Sequence, residues 1–285
     1  MDGPELITVD AGPVELGARR WAGGGGRPVL LVHGLSSNAR LWDEVAARLA
    51  VAGHPAVAID LRGHGTSAAV PGGRPGAGDR DPDPTRTAAA DLTTACASLG
   101  WTAPVVAGQS WGGNVALQLA ADRPELVHGL VLVDGGWLHL GDRWTSVEQA
   151  WEVLAPPNFD GLTADVLRGR LACAHPGWSG AAVDATLGNL RARADGTVVP
   201  WLDRERHRRI VASLLAHQPR GLYPRIACRC LLLAVTGAAD PEPDELVTEA
   251  IGALPDADLV TFPGGDHDLH AQHPDRVAAL IGRLS

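Results

Sequence analysis

Short apolar runs alternate with longer amphipathic stretches along most of the chain. Residues 6–9 and 14–18 read as an opening hairpin. Residues 28–32 form a short apolar run, as a buried strand does, and end at His33-Gly34. Asn38 has the side chain to start a helix through Trp42, Val45 and Leu49, with Gly53 just past its end. Residues 56–60 repeat the strand pattern, residues 87–99 the helix pattern, then 103–107 a strand, 114–120 a helix and 130–134 a strand. Strands alternating with helices predict parallel βαβ units and a sheet covered on both faces.

The alternation stops after Gly136. Residues 137–223 carry helical patterning, scattered tryptophans and no strand-like run. It resumes with a strand at 231–235, a helix at 245–254, a strand at 259–262 and a last helix at 274–284. The pattern therefore predicts an α/β core, residues 1–136 and 224–285, interrupted by a helical insertion at 137–223. Residues 70–84 are rich in Gly, Pro, Asp and Arg and read as a surface loop. No internal repeat is visible.

Composition narrows the function classes. A length of 285 residues suits one large α/β domain with an insertion. The formal net charge is −9, and no basic tract interleaves with aromatics, so no nucleic acid is expected as a partner. Every basic residue is Arg, which excludes a Schiff-base lysine. No leader-like N-terminal pattern and no membrane-spanning apolar stretch is visible, so the expectation is a cytoplasmic protein without a membrane partner. Cys96, Cys173, Cys228 and Cys230 are then expected as reduced thiols. Cys228-Arg229-Cys230 has no second pair at zinc-site spacing and reads as residues entering a strand, so no metal is expected.

The most informative stretch is Gly108-Gln109-Ser110-Trp111-Gly112, of the form G-x-S-x-G. It falls where a predicted strand turns into a predicted helix. A serine on so tight a turn projects from the sheet edge with its hydroxyl exposed, and the flanking glycines remove side chains that would collide. Taken alone, the motif also fits a small residue chosen for a turn.

With His33-Gly34-Leu35, Asp60-Leu61-Arg62-Gly63-His64-Gly65-Thr66-Ser67, the Ser110 elbow, Thr236-Gly237-Ala238-Ala239-Asp240 and Pro263-Gly264-Gly265-Asp266-His267, in that order, the chain resembles the α/β-hydrolase superfamily. The resemblance covers nearly everything outside the insertion. It implies an α/β-hydrolase fold and a catalytic serine, acid and histidine in that chain order. Ser110, Asp240 and His267 match. Asp134, ending the preceding strand, is the alternative acid, and the Gly-x-x-Asp pattern favours Asp240. The backbone N–H groups of Leu35 and Trp111 match the oxyanion-hole positions. His33 and His64 match structural positions. His270 and His273 follow His267 at spacings of three, which suits the start of the last helix better than a metal site. Asp266 and Asp268 bracket His267, where relatives place small residues; they either raise its basicity or face solvent.

The resemblance implies a cofactor-free serine hydrolase that cleaves a carboxylic ester, lactone or thioester through an acyl-enzyme on Ser110. Two alternatives keep the same triad: carbon–carbon hydrolysis of a diketone-like compound, and perhydrolase or haloperoxidase activity. A receptor-like member that only binds a ligand is the non-enzymatic alternative. Dehalogenase and epoxide hydrolase chemistry need Asp where Ser110 stands. Trp137, Trp144, Trp151, Trp178 and Trp201 fall in the insertion. As a lid, it would place one or two of them over Ser110, around an apolar acyl or ring group of a small-molecule substrate. The others would glue its helices to the core. Arg191, Arg193, Arg204, Arg206, Arg208 and Arg209 read first as a solvated face.

Overall fold

The computed structural model describes residues 3–68, 81–239 and 241–285. Asp240 and residues 70–80 of the expected loop lie outside the described residues. Eight strands form one sheet: β1 (Glu5–Asp10), β2 (Glu15–Trp21), β3 (Val29–Val32), β4 (Ala56–Ile59), β5 (Val105–Gln109), β6 (Gly129–Val133), β9 (Arg229–Thr236) and β10 (Ala257–Pro263). Their spatial order is β1-β2-β4-β3-β5-β6-β9-β10. β1, β2 and β4 pair antiparallel; from β4 onward every pairing is parallel. The four central strands β3, β4, β5 and β6 are buried along their whole length, which is why they read as apolar runs, with Gln109 at the end of β5 the one polar residue.

After β3 the chain goes to one neighbour, β4, and later returns to the other, β5. The loops leaving β3 and β5 therefore diverge at the same carboxyl edge and leave a crevice, where open α/β sheets bind ligands. Helices α2 (Pro84–Ser98), α3 (Trp111–Asp122) and α8 (Glu245–Ala253) cover one face. Helices α1 (Asp43–Val51) and α10 (Pro274–Gly282) cover the other, preceded by the short α9 (Leu269–Gln272). α2 begins three residues earlier than its apolar pattern suggests. Asp83 caps it by accepting from the Arg86 N–H at 3.1 Å, and Pro84 suits the first turn.

Between β6 and β9 lie α4 (Val147–Leu154), α5 (Ala164–Ala174), α6 (Gly180–Leu187) and α7 (Arg204–Ala216). Ser146, Thr163, Ser179 and Asp203 each cap one of them through a side-chain oxygen. One correction applies to this segment. It contains an antiparallel hairpin, β7 (Leu190–Ala192) with β8 (Val198–Pro200), where no strand was expected. Strands of three residues are too short for alternation to register in the sequence. The turn is set by Gly196 at φ 81° and by Asp195, whose carboxylate accepts from the Thr197 N–H at 2.9 Å. α7 packs on α2, and α6 packs on the 3-10 turn Ala39–Trp42, so the insertion touches the core beside the crevice.

Candidate active site

Ser110 sits between β5 and α3 with φ 53° and ψ −124°. A non-glycine residue there carries strain of about 1–3 kcal/mol that its surroundings must hold in place. The Ser110 N–H donates to the Val133 carbonyl at 3.0 Å, which ties the turn to β6. A Cβ at Gly108 would run into the Gly112 carbonyl oxygen, and one at Gly112 into the His33 carbonyl oxygen. The turn is so tight that both positions exclude any side chain.

His267 lies in the loop after β10, and its Nδ1 is 2.6 Å from Asp134 Oδ2. Asp134 follows β6 directly, with φ 44°, and its other oxygen accepts from the Val235 N–H at 3.0 Å. Among the described residues, Asp134, the alternative acid, is the carboxylate bonded to His267, and Asp240, which carries the favoured sequence pattern, lies outside them. The Gln109 side chain, next to Ser110, donates to the His267 carbonyl at 3.2 Å and braces the same loop. Nothing in the sequence marks Gln109 for that task. Burial works to lower the His267 pKa, but the Asp134 bond and the charges of Asp134, Asp268 and Asp266 outweigh it and raise the pKa above the usual value. Asp266 also pairs with His175 of the insertion at 2.5 Å. Burial pushes the Asp268 carboxyl upward.

The other candidate histidines are held by backbone bonds and ring packing. His33 donates from Nδ1 to the Gly34 carbonyl at 2.8 Å and accepts from the Leu61 N–H at 3.0 Å. His64 is buried against it, with ring centroids 4.8 Å apart. His270 is fully buried on Trp42, where burial pulls its pKa down to about 3. His273 packs against Phe262 ahead of α10. Cys230 is buried in β9 as a free thiol.

Ser110, His267, Leu35 and Trp111 line one cavity of about 370 Å³. Trp111 opens α3, so its N–H has no carbonyl one turn back. The Leu35 N–H likewise has no hydrogen-bond partner among the described residues. Two unpartnered backbone donors therefore share a cavity with a serine and a carboxylate-held histidine. The Trp111 indole donates to Thr85 Oγ1 at 3.0 Å and is buried, so the side chain anchors α3 to α2 while the residue also lines the cavity.

A model of the alpha/beta hydrolase family matches residues 29–280. The chain belongs to that family. Among curated relatives, the esterase Rv0045c of Mycobacterium tuberculosis is 40% identical over 131 residues, 46% of this chain and 39% of that protein. The lipase LipV of the same organism is 35% identical over 146 residues, 51% of each chain. The chain thus matches about half or less of the length of these relatives. Among solved structures, E-2-(acetamidomethylene)succinate hydrolase superposes with a TM-score of 0.77 at 19% identity, covering 99% of this chain and 98% of that one. The Rv0045c crystal structure gives 0.70 at 23%, covering 99% and 90%. At these identities the likeness is one of fold.

In this α/β-hydrolase the insertion walls the crevice. Trp137 and Trp144 line the Ser110 cavity. Trp201 lines an adjoining chamber of about 340 Å³ whose other walls include Phe159, Leu167, Leu171, Leu187 and Leu202. A small space of about 100 Å³ between Ser110, His267, Thr186 and Asn189 shares walls with both. Trp151 and Trp178 have other work. Trp151 lies under Arg204 and Arg208 and packs on the edge of His207, and Trp178 stacks on His175 at 4.1 Å. Arg191 lies over Trp201, Arg208 pairs with Glu148 and Arg209 with Glu205. Three residues at the crevice, Ser36, Asn189 and His207, carried no sequence signal; distance along the chain hides their contacts.

Proposed function

We propose that this α/β-hydrolase is a serine hydrolase that cleaves a carboxylic ester, lactone or thioester. Ser110 is the nucleophile, His267 the base and Asp134 the orienting acid. The observation that carries the reading is the 2.6 Å bond from His267 Nδ1 to Asp134, made in the cavity that Ser110 also lines. A carboxylate cannot donate, so Nδ1 carries the proton and Nε2 is left with its lone pair. Nε2 takes the Ser110 proton as Oγ attacks the carbonyl carbon. The oxyanion that forms accepts from the Leu35 and Trp111 N–H groups. His267 then returns the proton to the leaving alcohol or thiol. Water, deprotonated by the same nitrogen, releases the acid and frees Ser110.

In the same reading, residues 137–223 act as a cap and the substrate has an apolar acyl or ring-containing arm. The apolar chamber beside Trp201 and its shared walls with the Ser110 cavity support this. The core then comprises residues 1–136 and 224–285. Among the described residues no helix is long and apolar enough to cross a membrane. Turnover of p-nitrophenyl acetate and butyrate, with a fluorophosphonate label, tests the reading. Wild-type protein should react and Ser110→Ala should do neither. Labelling that persists in Ser110→Ala removes Ser110 as the nucleophile.

A further inference from the structure

We propose that Asn189 and His207, two polar side chains of the insertion, are positioning residues that hold the Leu35 N–H in place by clamping the turn at Ser36. The inference rests on the hydrolase reading above and concerns how that site is assembled. Ser36, Ser110 and Asp134 are the non-glycine residues with positive φ among the described residues, and all three adjoin the site. Ser36 has φ 60°, a left-handed conformation that needs outside support. Ser110 and Asp134 take theirs from the sheet. Ser36 takes it from the insertion.

The support comes at two atoms. The Ser36 carbonyl accepts from Asn189 Nδ2 at 2.6 Å. Asn189 is itself pinned: its Oδ1 accepts from Asn38 at 2.5 Å, its N–H donates to Thr186 and its carbonyl accepts from Trp201. The Ser36 hydroxyl lies 3.2 Å from His207 Nδ1. His207 Nε2 is 2.9 Å from the Leu154 carbonyl, which can only accept. Nε2 therefore holds the proton, and Nδ1 accepts a hydrogen bond from the Ser36 hydroxyl. Burial holds the His207 pKa below the usual histidine value, which keeps Nδ1 available as an acceptor.

The core grips the other side of Leu35. His33 donates to the Gly34 carbonyl at 2.8 Å, and that carbonyl shares a peptide plane with the Leu35 N–H. The donor is thus held between a core histidine before it and two insertion side chains after it. An insertion built this way completes the oxyanion hole as well as covering it.

The test compares Asn189→Leu, His207→Phe and Ser36→Ala with the wild type on p-nitrophenyl butyrate. It also uses a trifluoromethyl ketone, whose tetrahedral adduct places an oxyanion where Leu35 donates. Losing a whole oxyanion donor costs about 10²–10³-fold in rate, so misplacing one should cost less. The expected kcat loss is roughly 10–100-fold for Asn189→Leu and His207→Phe, and roughly 3–10-fold for Ser36→Ala. KM should stay within about twofold, and inhibition by the ketone should weaken by the same factor as kcat/KM. A fall in kcat with ketone affinity intact, or a change in KM alone, overturns the proposal. If Asn189→Leu fails to fold, Asn189→Asp decides for that contact, since it removes the Nδ2 donor and keeps the Oδ1 acceptor, and Ser36→Ala decides for the His207 contact. Ser110→Ala is run alongside. Turnover surviving there defeats the hydrolase reading, and the proposal with it. Turnover lost there but unchanged in the other three variants defeats this proposal alone.

Discussion

Asp134 and His267 lie 133 residues apart in the chain and meet at 2.6 Å across the carboxyl edge of the sheet. The bond joins the end of β6 to the loop after β10, with β9 between them. Asp134 Oδ1 accepts from the Val235 N–H of that middle strand, and Oδ2 meets the histidine. The bond to β9 fixes the direction in which the carboxylate faces the histidine.

Asp134→Asn is therefore expected to lower kcat by about 10⁴-fold on p-nitrophenyl butyrate, because an amide no longer enforces the correct imidazole tautomer. Asp240→Asn, measured beside it, should stay within a few-fold of the wild type. Circular dichroism melting shows whether both variants fold. A crippled Asp240→Asn with a mild Asp134→Asn reverses the assignment.

The pH–rate profile should carry the mark of the carboxylates around His267. The free enzyme needs neutral His267, so kcat/KM falls as pH drops through its pKa. Asp134, Asp268 and Asp266 hold that pKa above the ordinary 6.5, which places the acid limb above 6.5 as well. Asp268→Asn should move the limb to lower pH. Stability has the opposite slope: the contribution from protonated His267 is present below 6.5 and is lost as pH rises through the raised value. An acid limb at or below 6.5 that ignores Asp268→Asn contradicts this picture.

Trp144 and Trp201 line different spaces, one beside Ser110 and one in the apolar chamber. Alanine at either should shift kcat/KM between short and bulky acyl esters by about 1–3 kcal/mol, with the two variants favouring different substrates. The fluorophosphonate rate should change little, since Ser110, His267 and Asp134 are untouched. Equal scaling of every ester by both variants counts against the chambers as binding sites.

Gly108→Ala introduces a methyl group against the Gly112 carbonyl oxygen, a backbone atom that cannot swing away. Overpacking of that kind costs about 1–3 kcal/mol and distorts the turn that carries Ser110. Both the melting temperature and the labelling rate should drop. A normal label rate in a fully folded variant means the elbow tolerates more slack than its contacts suggest.

Much of this protein was legible from residue order. The alternation of apolar runs and helical stretches specified a parallel sheet covered on both faces, because strands buried on both sides are apolar, as β3 to β6 are up to the elbow. Gly108-Gln109-Ser110-Trp111-Gly112 specified the elbow, since both the turn and the chemistry are local. His267 was legible from its neighbours in the same way. The contact between Asp134 and His267 was not, because it depends on the path of the loop after β10 across the sheet edge. Asn189, His207 and Ser36 were silent for the same reason. Their hydrogen bonds join positions 153 and 171 residues apart, and no local spacing encodes a contact that forms only when the insertion packs on the core. Local backbone sterics and burial set the elements and the serine elbow, while long-range packing brought Asp134 to His267 and put Asn189 and His207 on the turn at Ser36.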